Sequence, residues 1–305
     1  MKLRGIIPPM VTPLRDRDDL DLAGLERLVE HILAGGVSGL FILGTTGEGP
    51  GLSYRLRRDL ITRVCRQVKK RVPVLVGITD TSFVESVELA RYAALKGADA
   101  VVAAPPYYLP EAQPEIQEYL DHLVPELPLP LFLYNIPSLT KVQLEPETVR
   151  RALGEPRIIG FKDSSGDLAY FKNVAEIVKQ RPDWSLLSGP EELLFDTLQL
   201  GGHGGVNGGA NIFPQLYVKL FEAFQAGNVA RAQELQKQIR RVSDSLYRIG
   251  KYSSSIIKGI KCALACLGVC DDFMAEPFHR FRAEERELVK TRLKEIQTEL
   301  PQLNL

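Results

Sequence analysis

Ile158-Ile159-Gly160-Phe161-Lys162 is the stretch from which the fold is read. Four apolar or small residues follow one another without alternation. Such a run marks a strand covered on both faces, the condition of a parallel sheet. Seven further runs have this character, at residues 5–7, 39–43, 74–78, 100–103, 131–134, 185–188 and 204–206. Between them lie amphipathic stretches. Leu22, Leu25, Leu28, Val29 and Ile32 share a helical face, and Gly35-Gly36 stops it. Val84, Val87, Leu89, Ala90 and Ala93 repeat the pattern up to Gly97. Ser53 precedes a third helix, Asp167 caps a fourth, and Pro214 opens another. Eight β-then-α units in series predict an α/β protein, a closed (β/α)8 TIM barrel, because open doubly wound sheets usually stop at five or six strands.

After Gly227 the strands cease, and residues 230–247, 255–267 and 283–299 read as helices. The expected organisation is a catalytic barrel over residues 1–226 and a C-terminal helical extension over residues 227–305. Lys plus Arg number 38 and Asp plus Glu number 38, so the net charge is zero. No global field draws nucleic acid or an anionic membrane, and neither is an expected partner. The first nine residues lack a secretory apolar region, and no stretch nears the ~20 apolar residues of a membrane span. A cytoplasmic setting is the expectation.

Cys262, Cys266 and Cys270 recur every four residues on one side of a helix. Such spacing suits a metal site or small buried hydrophobes, and we read the latter. His31, His122, His203 and His279 form no H-x-H or H-E-x-x-H, so no metal is expected. Neither a P-loop nor a G-x-G-x-x-G fingerprint at the start of a βαβ unit is present, and no cofactor is expected.

Barrel chemistry sits at the C-terminal ends of the strands. There, Gly44-Thr45-Thr46-Gly47-Glu48-Gly49 forms a tight turn with two hydroxyls and several N–H groups. It is either an anion-binding turn or an ordinary Gly-rich connection. Tyr134 ends the fifth strand, as a proton relay or as a core aromatic. Lys162 ends the sixth. Desolvation there lowers an amine's pKa and frees it as a nucleophile, unless the ammonium pairs with Asp163 or Glu191. The Gly-rich stretch 201–209 either admits substrate close to the backbone or packs the last turn.

Taken together, residues 44–48, Tyr134-Asn135-Ile136-Pro137-Ser138, Gly160-Phe161-Lys162-Asp163 with Ser165-Gly166-Asp167, and the Gly-rich run to Ala210-Asn211 resemble the dihydrodipicolinate synthase / N-acetylneuraminate lyase family. The similarity runs over nearly the whole chain, extra C-terminal helices included. It implies a Schiff base between a strand-six lysine and a 2-oxo acid, typically pyruvate, and a homotetramer built as a dimer of dimers. By position it makes Lys162 the Schiff-base residue and Tyr134 the acid/base. Thr45 and Thr46 would hold the 2-oxo acid carboxylate. Thr45 would link Tyr134 to Tyr108, the latter from the partner subunit in this family. Val206 would touch the pyruvyl group through its backbone.

Two departures bear on the branch. Leu139 stands where the synthases usually carry a carboxylate-binding arginine. Gly189-Pro190-Glu191-Glu192 is similar to the sialate lyases, whose acidic groups there bind sugar hydroxyls, although Glu191 replaces an Asp and Gly208 a hydroxyl residue. The expected enzyme is therefore a lyase (class I aldolase) joining or parting pyruvate and an aldehyde. Its expected substrate is a hydroxylated 2-oxo acid, N-acetylneuraminate-like or a 2-keto-3-deoxy sugar acid. A dihydrodipicolinate synthase with altered recognition, a sugar-acid dehydratase, and, from another class, a non-catalytic 2-oxo-acid sensor are the alternatives.

Overall fold

The computed structural model describes residues 2–300. Eight parallel strands form one sheet: β1 Gly5–Ile6, β2 Leu40–Ile42, β3 Val74–Gly77, β4 Ala100–Ala103, β5 Leu131–Asn135, β6 Ile158–Asp163, β7 Ser185–Ser188 and β8 Gly204–Gly205. Neighbours in the chain are neighbours in the sheet, and β8 pairs with β1. The ring closes between β1 and β2 through the segment after β1, where Phe41 N donates to Pro8 O at 3.0 Å and Met10 N to Phe41 O at 2.8 Å. The expected (β/α)8 barrel is the observed one.

A helix follows each strand: α1 Leu22–Ala34, α2 Tyr54–Val68, α3 Phe83–Leu95, α4 Gln113–Glu126, α5 Pro146–Ala152, α6 Leu168–Val178, α7 Leu194–Gln199 and α8 Pro214–Gln225. Side-chain caps set the starts of α1, α2 and α6. The Asp21 side chain accepts from Gly24 N, Ser53 from Leu56 N and Asp167 from Ala169 N, which satisfies donors that no helical carbonyl reaches. Three helices follow without strands, α9 Val229–Leu246, α10 Ser255–Cys266 and α11 Ala283–Glu299. A hairpin of Leu14–Asp16 with Asp19–Leu20, absent from the sequence reading, lies between β1 and α1. Helix α10 stops at Cys266, so Cys270 lies in the following loop rather than on the same helical face. Cys262 and Cys270 are buried and Cys266 is exposed.

Side chains of Ile7, Phe41, Leu75, Val102, Phe132 and Leu187 fill the barrel interior. Gly160 is required beneath them. A Cβ there would stand 2.2 Å from the Phe132 ring. A second apolar layer lies outside the strands, and Ile239, Val242, Ile260 and Leu293 of the extension join it. The extension is thus packed into the barrel's outer core. No helix among the described residues is long and apolar enough to cross a membrane.

Candidate active site

Parallel register places Lys162 of β6 directly beside Tyr134 of β5. Both side chains turn into the barrel mouth, and each residue is 5% exposed. The Lys162 Nζ lies 3.9 Å from the centre of the Tyr134 ring and 5.0 Å from that of Phe41. Neither carboxylate that the sequence offered as a partner pairs with it. Asp163 accepts from Asn135 Nδ2 at 2.8 Å and Ser165 Oγ at 2.9 Å. Glu191 faces Tyr217 OH at 2.5 Å, Tyr247 OH at 3.0 Å and Gly209 N at 2.8 Å. Burial pushes the Lys162 amine below the ordinary lysine range, and the adjacent Tyr134 phenol opposes part of that shift.

The turn after β2 lies across from this lysine. Two of its residues adopt left-handed backbone, Leu43 at φ 60° and Glu48 at φ 55°. The curl this produces leaves no room at Gly49, where a Cβ would meet the Leu43 carbonyl oxygen at 2.2 Å. Glu48 N donates to Thr45 O at 3.0 Å, and Thr12 Oγ1 donates to Gly47 O at 2.7 Å, which closes the turn. Thr45 Oγ1 then stands 3.4 Å from Tyr134 OH. This contact is at the long end of hydrogen bonding, within the range over which a relay tightens on ligand binding.

A cavity of about 320 Å³ opens above Lys162. Thr45, Thr46, Tyr134, Lys162, Gly189, Glu191, Glu192 and Val206 all line it, so the structure gathers every site residue named from the sequence except Tyr108. Tyr108 lies at the tip of the loop after β4, 89% exposed and at φ 92°. Among the described residues its hydroxyl has no hydrogen bond within the chain. A smaller cavity of about 170 Å³ shares Thr45, Tyr134 and Leu139 with the first and is lined also by Thr79 and Tyr107.

The extension also contributes lining: Tyr247 at the end of α9, Ser253 in the loop, and Ile256 and Ile257 of α10. Sequence reasoning missed these four. Their helical spacing looks like ordinary packing, and no βα loop carries them. It also missed Tyr217, which meets Glu191 from α8. Burial raises the Glu191 carboxyl to about 7, against the hydrogen bonds it receives. Gly208 is on the same wall, and a Cβ there would come within 3.0 Å of Ile260. Among the described residues no three His, Cys, Asp or Glu side chains are placed to share a metal ion.

Residues 2–296 match the Dihydrodipicolinate synthetase family. A solved structure of dihydrodipicolinate synthase from Bacteroides thetaiotaomicron is 53% identical and superposes with a TM-score of 0.94, covering 96% of this chain and 98% of that one. YagE of Escherichia coli K12, solved in complex with pyruvate, is 30% identical with a TM-score of 0.91, covering 96% and 98%. A relative from the same organism, named probable 2-dehydro-3-deoxy-D-pentonate aldolase YjhH, is 34% identical over 270 residues, 88% of either chain. Named members thus include synthases and aldolases, and a member's complex holds pyruvate. The chain is an enzyme of the dihydrodipicolinate synthetase family.

Proposed function

We propose that the protein is a Schiff-base lyase that cleaves, and in reverse forms, the C–C bond between pyruvate and an aldehyde, acting on a hydroxylated 2-oxo acid. Lys162 carries this reading: a buried amine at the floor of the cavity, beside Tyr134 and without an acidic partner. Its lowered pKa leaves a fraction neutral. The neutral Nζ adds to the ketone carbon at C2, and loss of water leaves a protonated imine. A base removes the proton of the C4 hydroxyl and the C3–C4 bond breaks. Its electron pair moves into the iminium, giving an enamine and a free aldehyde. Protonation of C3 and hydrolysis return pyruvate and the amine. Tyr134 is the group placed to carry these protons, with Thr45 next in the chain. N–H groups and hydroxyls of Thr45-Thr46 hold the 2-oxo acid carboxylate, and the Val206 backbone flanks it.

For the rest of the substrate, the lining offers Ser138, Ser164, Glu192, Tyr247 and Ser253, all hydroxyl or carboxylate groups, and among the described residues Lys162 is its only cation. Such a wall suits an N-acetylneuraminate-like or 2-keto-3-deoxy sugar acid. Condensation with aspartate semialdehyde is the second reading, favoured by the 53% identity to a chain described as dihydrodipicolinate synthase. Against it, Leu139 lines the cavity and supplies no charge to a second carboxylate. We place the enzyme in the cytoplasm as a homotetramer, with Tyr108 of one subunit completing the Thr45–Tyr134 relay of its neighbour. The exposed, positive-φ Tyr108 supports this assembly. Incubation with pyruvate and borohydride should add one reduced pyruvyl group at Lys162 by mass, and an unmodified Lys162 would refute the mechanism. Pyruvate release from sugar acids, set beside aspartate semialdehyde condensation, decides between the two substrates.

A further inference from the structure

The Thr45-Thr46 turn is anchored by a buried ion pair that the mechanism above does not use. Glu48 closes the turn and is 6% exposed, while Lys261 of α10 is fully buried. Lys261 Nζ lies 2.6 Å from Glu48 Oε2, across 213 residues of sequence. The other oxygen, Oε1, accepts from Ala275 N at 2.8 Å, in the loop after α10. Both carboxylate oxygens are therefore held by the C-terminal extension. Within the turn, Glu48 N binds the Thr45 carbonyl and Gly51 N binds the Glu48 carbonyl at 2.8 Å. A displacement of Glu48 is thereby passed to Thr45. The left-handed backbone of Glu48 is unfavourable for a side-chain-bearing residue and persists only where its surroundings hold it.

We propose that Glu48 and Lys261 are positioning residues, through which the extension sets the geometry of the 2-oxo-acid turn and hence the affinity for pyruvate. This rests on the reading of Thr45-Thr46 as the pyruvate carboxylate site. A buried pair is by itself weak evidence for stability, because the two desolvation costs offset the attraction, whereas an unpaired survivor is costly. Replacing both partners by neutral residues of similar volume should therefore spare the fold more than removing one. If the pair positions the turn, the double replacement still loosens Thr45.

The test uses Glu48→Gln and Glu48→Gln/Lys261→Met in the full chain, with Leu264→Ala as a control. Leu264 is a fully buried residue of the same helix that lies outside both cavities. The readouts are thermal stability and the pyruvate concentration giving half-maximal borohydride-trapped imine. Loss of one charge-assisted hydrogen bond from the turn predicts about a tenfold rise in that concentration for the double variant. The Leu264→Ala control should melt earlier and keep the wild-type value. Half-saturation unchanged in the folded double variant would overturn the proposal, and so would an equal rise in the control. Failure of both Glu48 variants to fold would assign the pair to stability alone and overturn it too. Absence of imine in the wild type would instead sink the Schiff-base reading.

Discussion

Glu191 offers a quantitative test of the cavity's electrostatics. Its carboxyl is 4% exposed and held by two phenols and one N–H. Desolvation dominates and lifts it from 4.5 to about 7, with the Glu192 charge adding to the rise. The folded protein therefore holds this proton more tightly than the unfolded chain does. Below about pH 4.5 both states are protonated and the contribution is fully present. As pH rises towards 7 the unfolded chain releases the proton first, and relative stability is lost. At about 1.4 kcal/mol per tenfold, the loss between these limits amounts to about 3 kcal/mol. Glu191→Gln fixes the side chain in a neutral form and removes the loss. Whatever constant offset the amide introduces, the stability of the variant minus that of the wild type should grow by about 2.5 kcal/mol between pH 5 and pH 8. For a chain of this length that is on the order of 4 °C in melting temperature. Thermal unfolding followed by circular dichroism across this series measures the difference directly. A separation independent of pH would refute the assignment of a proton to Glu191 near neutrality.

Tyr134→Phe should still form the reducible imine at Lys162 but lose roughly 10²–10⁴-fold in turnover, the range for a general acid–base, as read by pyruvate release. Unchanged turnover would remove Tyr134 from the relay. Gly160→Ala drives a Cβ to 2.2 Å from the Phe132 ring and 2.8 Å from Ser185 O, and should cost about 1–3 kcal/mol in chemical denaturation. Lys162→Met replaces an amine whose protonated form is disfavoured by burial. Because its folded pKa is depressed, the unfolded chain binds more protons below the ordinary lysine value, so stability falls as pH falls. The Met variant should outlast the wild type in heat at neutral pH, with the margin narrowing as pH rises.

The barrel was legible because its strands are apolar without alternation, which only a sheet buried on both faces requires. Even β8, two glycines long, was read as one of these runs, at residues 204–206. Lys162 stood out for the same reason, a cation at the end of a run that nothing else interrupts. The contacts of Glu191 were not legible. Its partners Tyr217 and Tyr247 lie 26 and 56 residues away, and helical periodicity presents both as core aromatics. The sequence reading made Glu191 a group for sugar hydroxyls. In the fold its oxygens are engaged by the protein, which leaves Glu192 as the freer acid on that wall. Tyr108 was placed by resemblance alone, and among the described residues its hydroxyl has no hydrogen bond.

These two levels of legibility divide the labour of the site. Groups at the proposed reacting centre, Lys162, Tyr134 and Thr45, stand on strand ends or the turn beside them, where barrel geometry fixes them. Groups farther from Lys162 come largely from the loop after β7 and from the extension, at Tyr247, Ser253, Ile256 and Ile257. The apolar barrel interior is what lowers the pKa of the Lys162 amine, so it tolerates little change. The extension carries no such burden where it faces the cavity. Substitutions at Ser253 or Ile256 should therefore redirect the choice of aldehyde while leaving imine formation intact. Replacement of Lys162 on β6 should abolish imine formation and turnover together.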